Sequence, residues 1–228
     1  MGPTSFKSMV TVEADSGGHT DNRPAITLLP TILATPQARV VVVSSGMHAS
    51  GRIDFDNLDG ARSYHPWDAY SQSKLANLLF AYELERRFKA TGVNALAVAC
   101  HPGYAATNLQ ATGSRMSGSR VRELLFAVAN RLVAQSAAMG ALPTLYAATS
   151  SEVQGGEYIG PKGLGGMRGA PGKASSSALS HDRAVAERLW QASEQLTGVH
   201  YDFDVVSRAA PGVAAGELVD VLPFDGLV

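Results

Sequence analysis

Ala38-Arg39-Val40-Val41-Val42-Val43-Ser44-Ser45 is a β-branched run that ends in two hydroxyls. A near-continuous run of this kind predicts a strand buried on both faces, because a parallel sheet covered by helices leaves few side chains in water. Downstream, the stretch from about Pro66 to Lys89 repeats Leu75, Leu78, Leu79, Tyr82 and Phe88 at helical spacing, and Gly92 ends it. Val93 to Cys100 then reads as a second buried strand. Together they form a strand–helix–strand unit with parallel strands and a right-handed crossover. Ser44-Ser45 and His101 fall at the carboxyl edge of that sheet, where open α/β folds hold their chemistry.

Working outward, Ile26 to Ala34 reads as the end of a helix packed on the sheet, despite Pro30. Met1 to Pro24 is polar and without period, which predicts an irregular leader over residues 1–25. Gly46 to His65 is a loop. Beyond Thr107, Gln110 to Ser119 is rich in Gly, Ser and Thr, and Arg122 to Gln135 and Ala137 to Thr149 are helical. Glu157-Tyr158-Ile159 predicts a short strand, followed by a Gly/Pro/Ser loop to Ser180. The last helix runs from His181 to Thr197, with Asp182 near its start and Gly198 after its end. Residues 204–228 form a tail.

The 228 residues suit one domain, and 45% apolar against 17% charged residues is globular rather than disordered. A net charge of −1 gives no footprint for nucleic acid. Cys100 cannot form an intrachain disulfide, and its apolar setting makes it a buried small hydrophobe. There is no secretory pattern at the start and no run of 18 apolar residues, so a cytoplasmic protein without a membrane span is expected. The six histidines lack ligand spacing, and no metal is indicated. Gly160-Pro161-Lys162-Gly163-Leu164-Gly165 has the wrong spacing for a dinucleotide fingerprint, and Gly172-Lys173 lacks the flanking residues of a phosphate loop. No Gly-x-Ser-x-Gly elbow surrounds Ser45, which argues against a hydrolase.

The chemistry centres on Ala69-Tyr70-Ser71-Gln72-Ser73-Lys74-Leu75-Ala76-Asn77. Residues four apart on a helix share a face, about one turn away. A phenol ionises near ~10 in water, and an ammonium beside a phenol favours its anion. Either residue alone is ordinary on an amphipathic helix. The combination with the hydroxyls of Ser44-Ser45, and with His101-Pro102-Gly103-Tyr104-Ala105-Ala106-Thr107 after the next strand, points to proton transfer.

With Val-Val-Val-Val-Ser-Ser, Gly51-Arg52-Ile53-Asp54-Phe55-Asp56-Asn57-Leu58, Tyr70-x-x-x-Lys74-Leu-Ala-Asn and His-Pro-Gly-x-x-x-Thr in order, the chain resembles the short-chain dehydrogenase/reductase family. The likeness is to its retinol-dehydrogenase-like and protochlorophyllide-reductase-like branch, and it runs from about Ile26 to Phe203. It implies an oxidoreductase moving hydride between NAD(P) and a small alcohol or carbonyl compound. Ser45 would hydrogen-bond the substrate oxygen, Tyr70 would be the acid/base, and Lys74 would hold the cofactor ribose. Pro102 and Gly103 would line the nicotinamide, Thr107 would contact its carboxamide, and Gln110 to Ser119 would be a lid.

The family's opening strand and Thr-Gly-x-x-x-Gly-x-Gly turn, and its Asn-Ala-Gly segment, are not in the sequence. The fold expected is therefore the C-terminal portion of a doubly wound, Rossmann-type α/β domain without its first strands, with residues 26–203 as a catalytic half. Left with three parallel strands, it would expose the edge of the Ala38 to Val43 strand and invite a homodimer. The alternative is a non-catalytic, truncated remnant unable to bind cofactor. A sugar-nucleotide epimerase or dehydratase shares the Tyr-x-x-x-Lys pair but needs a larger C-terminal domain.

Overall fold

The valine run forms the strand that its composition predicts, and the rest of the sheet is built around it. The computed structural model describes residues 9–12, 28–104, 135–200 and 203. Its elements are β1 (Met9–Val12), α1 (Leu29–Ala34), β2 (Ala38–Val43), a 3-10 turn (Gly46–Ser50), α2 (Pro66–Thr91) and β3 (Ala95–Cys100). They continue with α3 (Ala137–Thr149), β4 (Tyr158–Gly163), β5 (Arg168–Ala174) and α4 (Arg183–Thr197). The strands lie in the order β1-β2-β3-β4-β5. The first four are parallel and β5 is antiparallel to β4.

β2 and β3 pair in register from Ala38 with Ala95 to Val43 with Cys100. Successive side chains on β2 point to opposite faces. Val40 and Val42 pack with Leu78, Phe88 and Trp190, whereas Val41 and Val43 pack with Val98, Ala147 and Ile159. The sheet is thus covered on both sides, by α2 and α4 on one and by α3 on the other, as a doubly wound α/β domain requires. Each fully buried valine or leucine contributes about 1.5–3 kcal/mol relative to exposure.

The helix ends follow local chemistry. Pro30 sits in the first turn of α1, where a missing N–H costs nothing. Asp182 caps α4 by accepting the N–H of Val185 at 3.1 Å. Gly92 closes α2 at φ +69°, a conformation that favours glycine.

Two expectations need correction. Met9–Val12 lies inside the stretch read as an irregular leader, yet it pairs with Arg39–Val42 as a parallel strand. The edge of β2 is therefore covered, and the exposed-edge argument for a homodimer no longer applies to it. Backbone pairing along an existing strand, rather than side-chain period, makes β1 a strand. The supposed loop to Ser180 also contains β5, whose Gly- and Pro-rich sequence hid it. Residues 105–134, which include Thr107, the expected lid and all of the Arg122 to Gln135 helix except Gln135, lie outside the described residues.

Candidate active site

Two side chains fasten the carboxyl end of β2 to α2. Ser44 donates its hydroxyl to the backbone oxygen of Lys74 at 2.7 Å, and Asn77 donates its amide to Val43 O at 2.9 Å. Both bonds are buried, so they set the height of Ser45 against the first turns of α2 with little play. The backbone then folds onto the helix. A side chain at Gly51 would stand 2.3 Å from the carbonyl oxygen of Ser71, so only glycine lets the two backbones approach this closely. Ser50 donates to Ser71 Oγ at 3.1 Å.

Ser45 ends the strand in extended conformation and caps the 3-10 turn, its Oγ accepting the Met47 N–H at 3.2 Å. That bond uses an oxygen lone pair and leaves the hydroxyl proton available for an incoming oxygen. Tyr70 lies on α2 one turn before Lys74, and the Lys74 Nζ is 5.4 Å from the centre of the Tyr70 ring. Lys74 is only 5% exposed. Trp67, 66% exposed, packs edge-on against Tyr70 with ring centres 6.5 Å apart.

Pro102 and Gly103 follow β3 at the same edge of the sheet. Gly103 has φ +71°, and a side chain there would meet the Met167 carbonyl oxygen at 2.5 Å. The β4–β5 hairpin holds this segment through Tyr104 N–H donating to Met167 O at 2.7 Å. Gln135 adds a second brace, donating to Pro102 O at 2.6 Å and accepting the Gly169 N–H at 3.2 Å. The fold thus brings Ser45, Tyr70, Lys74, Pro102 and Gly103 to one end of the sheet, while Thr107 is outside the described residues.

Three residues make contacts that sequence reading did not foresee, His101 among them although its His-Pro-Gly segment was quoted. His48 lies in the predicted loop, 4% exposed, with Nδ1 2.6 Å from Ser45 O and Nε2 accepting the Ser177 N–H at 3.0 Å. Burial lowers its pKa, partly offset by the Ser45 bond. His101 accepts the Gly103 N–H at 3.2 Å. Its pKa is pushed down to about 4, by burial first and by His48 second. Tyr158 stands between the two imidazoles, 5.5 and 5.0 Å from their centres. Burial holds its phenol far above the usual range, the nearby Ser44 acting weakly the other way, and its hydroxyl makes no well-formed hydrogen bond. Gln135 is the third. His48 and Gln135 have no period or spacing that marks them, and their bonds to Ser177 and Gly169 join residues distant in sequence.

A mostly parallel sheet wrapped on both sides by helices, with Ser45, Tyr70 and Lys74 near its carboxyl edge, is a doubly wound, Rossmann-type α/β domain. No protein-family model matches the chain. It is 33% identical to retinol dehydrogenase 14 of Homo sapiens, over 75% of this chain and 48% of that one. To polyprenol dehydrogenase of Danio rerio it is 35% identical, over 71% of this chain and 46% of that one. Among solved structures, an uncharacterized protein from Mycobacterium paratuberculosis superposes with a TM-score of 0.63 at 32% identity, covering 88% of this chain and 70% of that one. The chain belongs to the short-chain dehydrogenase/reductase family. It spans about half the length of the curated relatives it matches.

Among the described residues, no helix is long and apolar enough to cross a membrane.

Proposed function

We propose that this chain carries the proton-transfer half of an NAD(P)-dependent oxidoreductase acting on an apolar alcohol or its carbonyl partner. The observation that supports the proposal is the Tyr70–Lys74 pair on α2, the helix that the Ser44 and Asn77 bonds fasten to the end of β2, just before Ser45. The donor set fits a nicotinamide cofactor on its ribose side, with a buried ammonium and a phenol on one helix face. For the pyrophosphate side, the sequence has no Thr-Gly-x-x-x-Gly-x-Gly turn. When bound, the cofactor supplies or takes the hydride.

The rest of the chemistry belongs to the chain. Lys74 would hold the ribose hydroxyls. Pro102 and Gly103 would border the ring through their backbone, and Thr107 would bind the carboxamide. Ser45 would donate its hydroxyl proton in a hydrogen bond to the substrate oxygen. In reduction, Tyr70 gives its proton to that oxygen as hydride reaches the carbon; in oxidation both steps reverse. The relatives named for retinol and polyprenol suggest an apolar, chain-like alcohol. The exposed Met47 and Trp67, beside Ser45 and Tyr70, agree with such a substrate. A cytoplasmic setting completes the proposal.

The test is cofactor-dependent reduction of an apolar aldehyde at millimolar NADH or NADPH. Tyr70→Phe should reduce turnover at least about 10²-fold with an unchanged melting temperature. Turnover near the parent's in that variant would overturn the assignment.

A further inference from the structure

His48 lies in the 3-10 turn that Ser45 caps, and its ring is held from both sides. It is almost fully buried, and both ring nitrogens are engaged. The Ser45 carbonyl can only accept, and the Ser177 N–H can only donate. The ring is therefore neutral, with its proton on Nδ1 and a bare Nε2. Ser45 O accepts twice from this one residue, from the ring at 2.6 Å and from the His48 backbone N–H at 3.1 Å. The edge-on contact with Tyr158 keeps the ring from turning.

We infer that His48 is a positioning residue for the site: a rigid strut between the Ser177 backbone and the Ser45 carbonyl that fixes where the Ser45 hydroxyl stands. The catalytic part of this inference rests on the function proposed above. The Ser45 peptide plane and the Ser45 Oγ share one Cα, so tilting the plane moves the hydroxyl. The same tilt would disturb the bond from Met47 N–H to Ser45 Oγ, which gives a readout independent of turnover.

Three variants separate the two ends of the strut. His48→Asn keeps an amide N–H near the Nδ1 position, His48→Gln keeps an acceptor near Nε2, and His48→Leu keeps neither. Amide hydrogen exchange in the full chain should show Met47 opening about tenfold faster in His48→Leu and His48→Gln, and near the parent rate in His48→Asn. Turnover should follow the same order, with the Leu and Gln losses falling on kcat rather than on the cofactor KM. Long-range proton–nitrogen NMR of histidine-labelled protein at neutral pH should show His48 protonated at Nδ1 alone. Unchanged Met47 exchange in His48→Leu, or a proton on Nε2, would overturn the inference. Turnover that tracks melting temperature instead of the Ser45-side bond would also overturn it. A silent Tyr70→Phe with an altered Met47 exchange would instead remove the proposed function, leaving the strut in place.

Discussion

Lowering the pH from 7 to 5 should cost this fold about 2 kcal/mol through His101 alone. The unfolded imidazole titrates near ~6.5. In the folded chain it is pushed down to about 4, by burial and then by neighbouring His48. Between those values the unfolded chain holds the proton and the folded chain does not. The stability is therefore fully present above about 6.5 and is lost as the pH falls towards 4. At ~1.36 kcal/mol for each pH unit of the gap, the full loss is about 3 kcal/mol, of which about 2 is reached by pH 5. His101→Asn isolates the effect, because an amide oxygen can still take the Gly103 N–H but does not titrate. Urea unfolding followed by tryptophan fluorescence should show the parent losing about 2 kcal/mol more than the variant between pH 7 and pH 5. Every other titratable side chain is present in both proteins, so the difference reads His101 together with its coupling to His48. Parallel pH profiles for the two proteins would refute the reasoning.

Two further outcomes follow from the same structure. Cys100 is completely buried in β3, so a thiol reagent should label it only after denaturant is added, and fast native labelling would contradict its place in the strand. The chain should bind NADH and NADPH at millimolar strength or weaker by calorimetric titration: it has the ribose-side donors but no glycine turn for the pyrophosphate, and several charge-assisted bonds at about 1.5–3 kcal/mol each are missing. Micromolar binding of either cofactor would show that another part of the chain grips the pyrophosphate.

The parts of the fold legible in the sequence are those where one local pattern suffices. The valine run, the apolar repeat of α2 with Gly92 after it, and the apolar strand holding Cys100 each declare themselves within a few residues. β5 does not, because Arg168-Gly169-Ala170-Pro171-Gly172-Lys173-Ala174 has neither alternation nor β-branched residues. As an edge strand it tolerates proline, and Pro171 faces Pro161 beyond the short pairing of β3 with β4. β1 does hold the β-branched Val10, Thr11 and Val12, but four residues among polar neighbours are too short a run to stand out, and pairing along β2 makes them a strand. In the candidate site, the residues that a motif names, His101 among them, were readable as positions, whereas His48 and Gln135 were not. The roles of His48 and Gln135 depend on Ser177 and Gly169, which the fold alone brings near.

The most direct test of the central claim follows the hydride itself. NADH or NADPH deuterated at the nicotinamide C4 is supplied at millimolar concentration with an apolar aldehyde, and the alcohol formed is analysed by mass spectrometry. The account predicts deuterium on the carbinol carbon with the parent chain, and at least about 10²-fold less label with Tyr70→Phe. Unlabelled product from folded parent protein, or equal labelling by the two proteins, would contradict it.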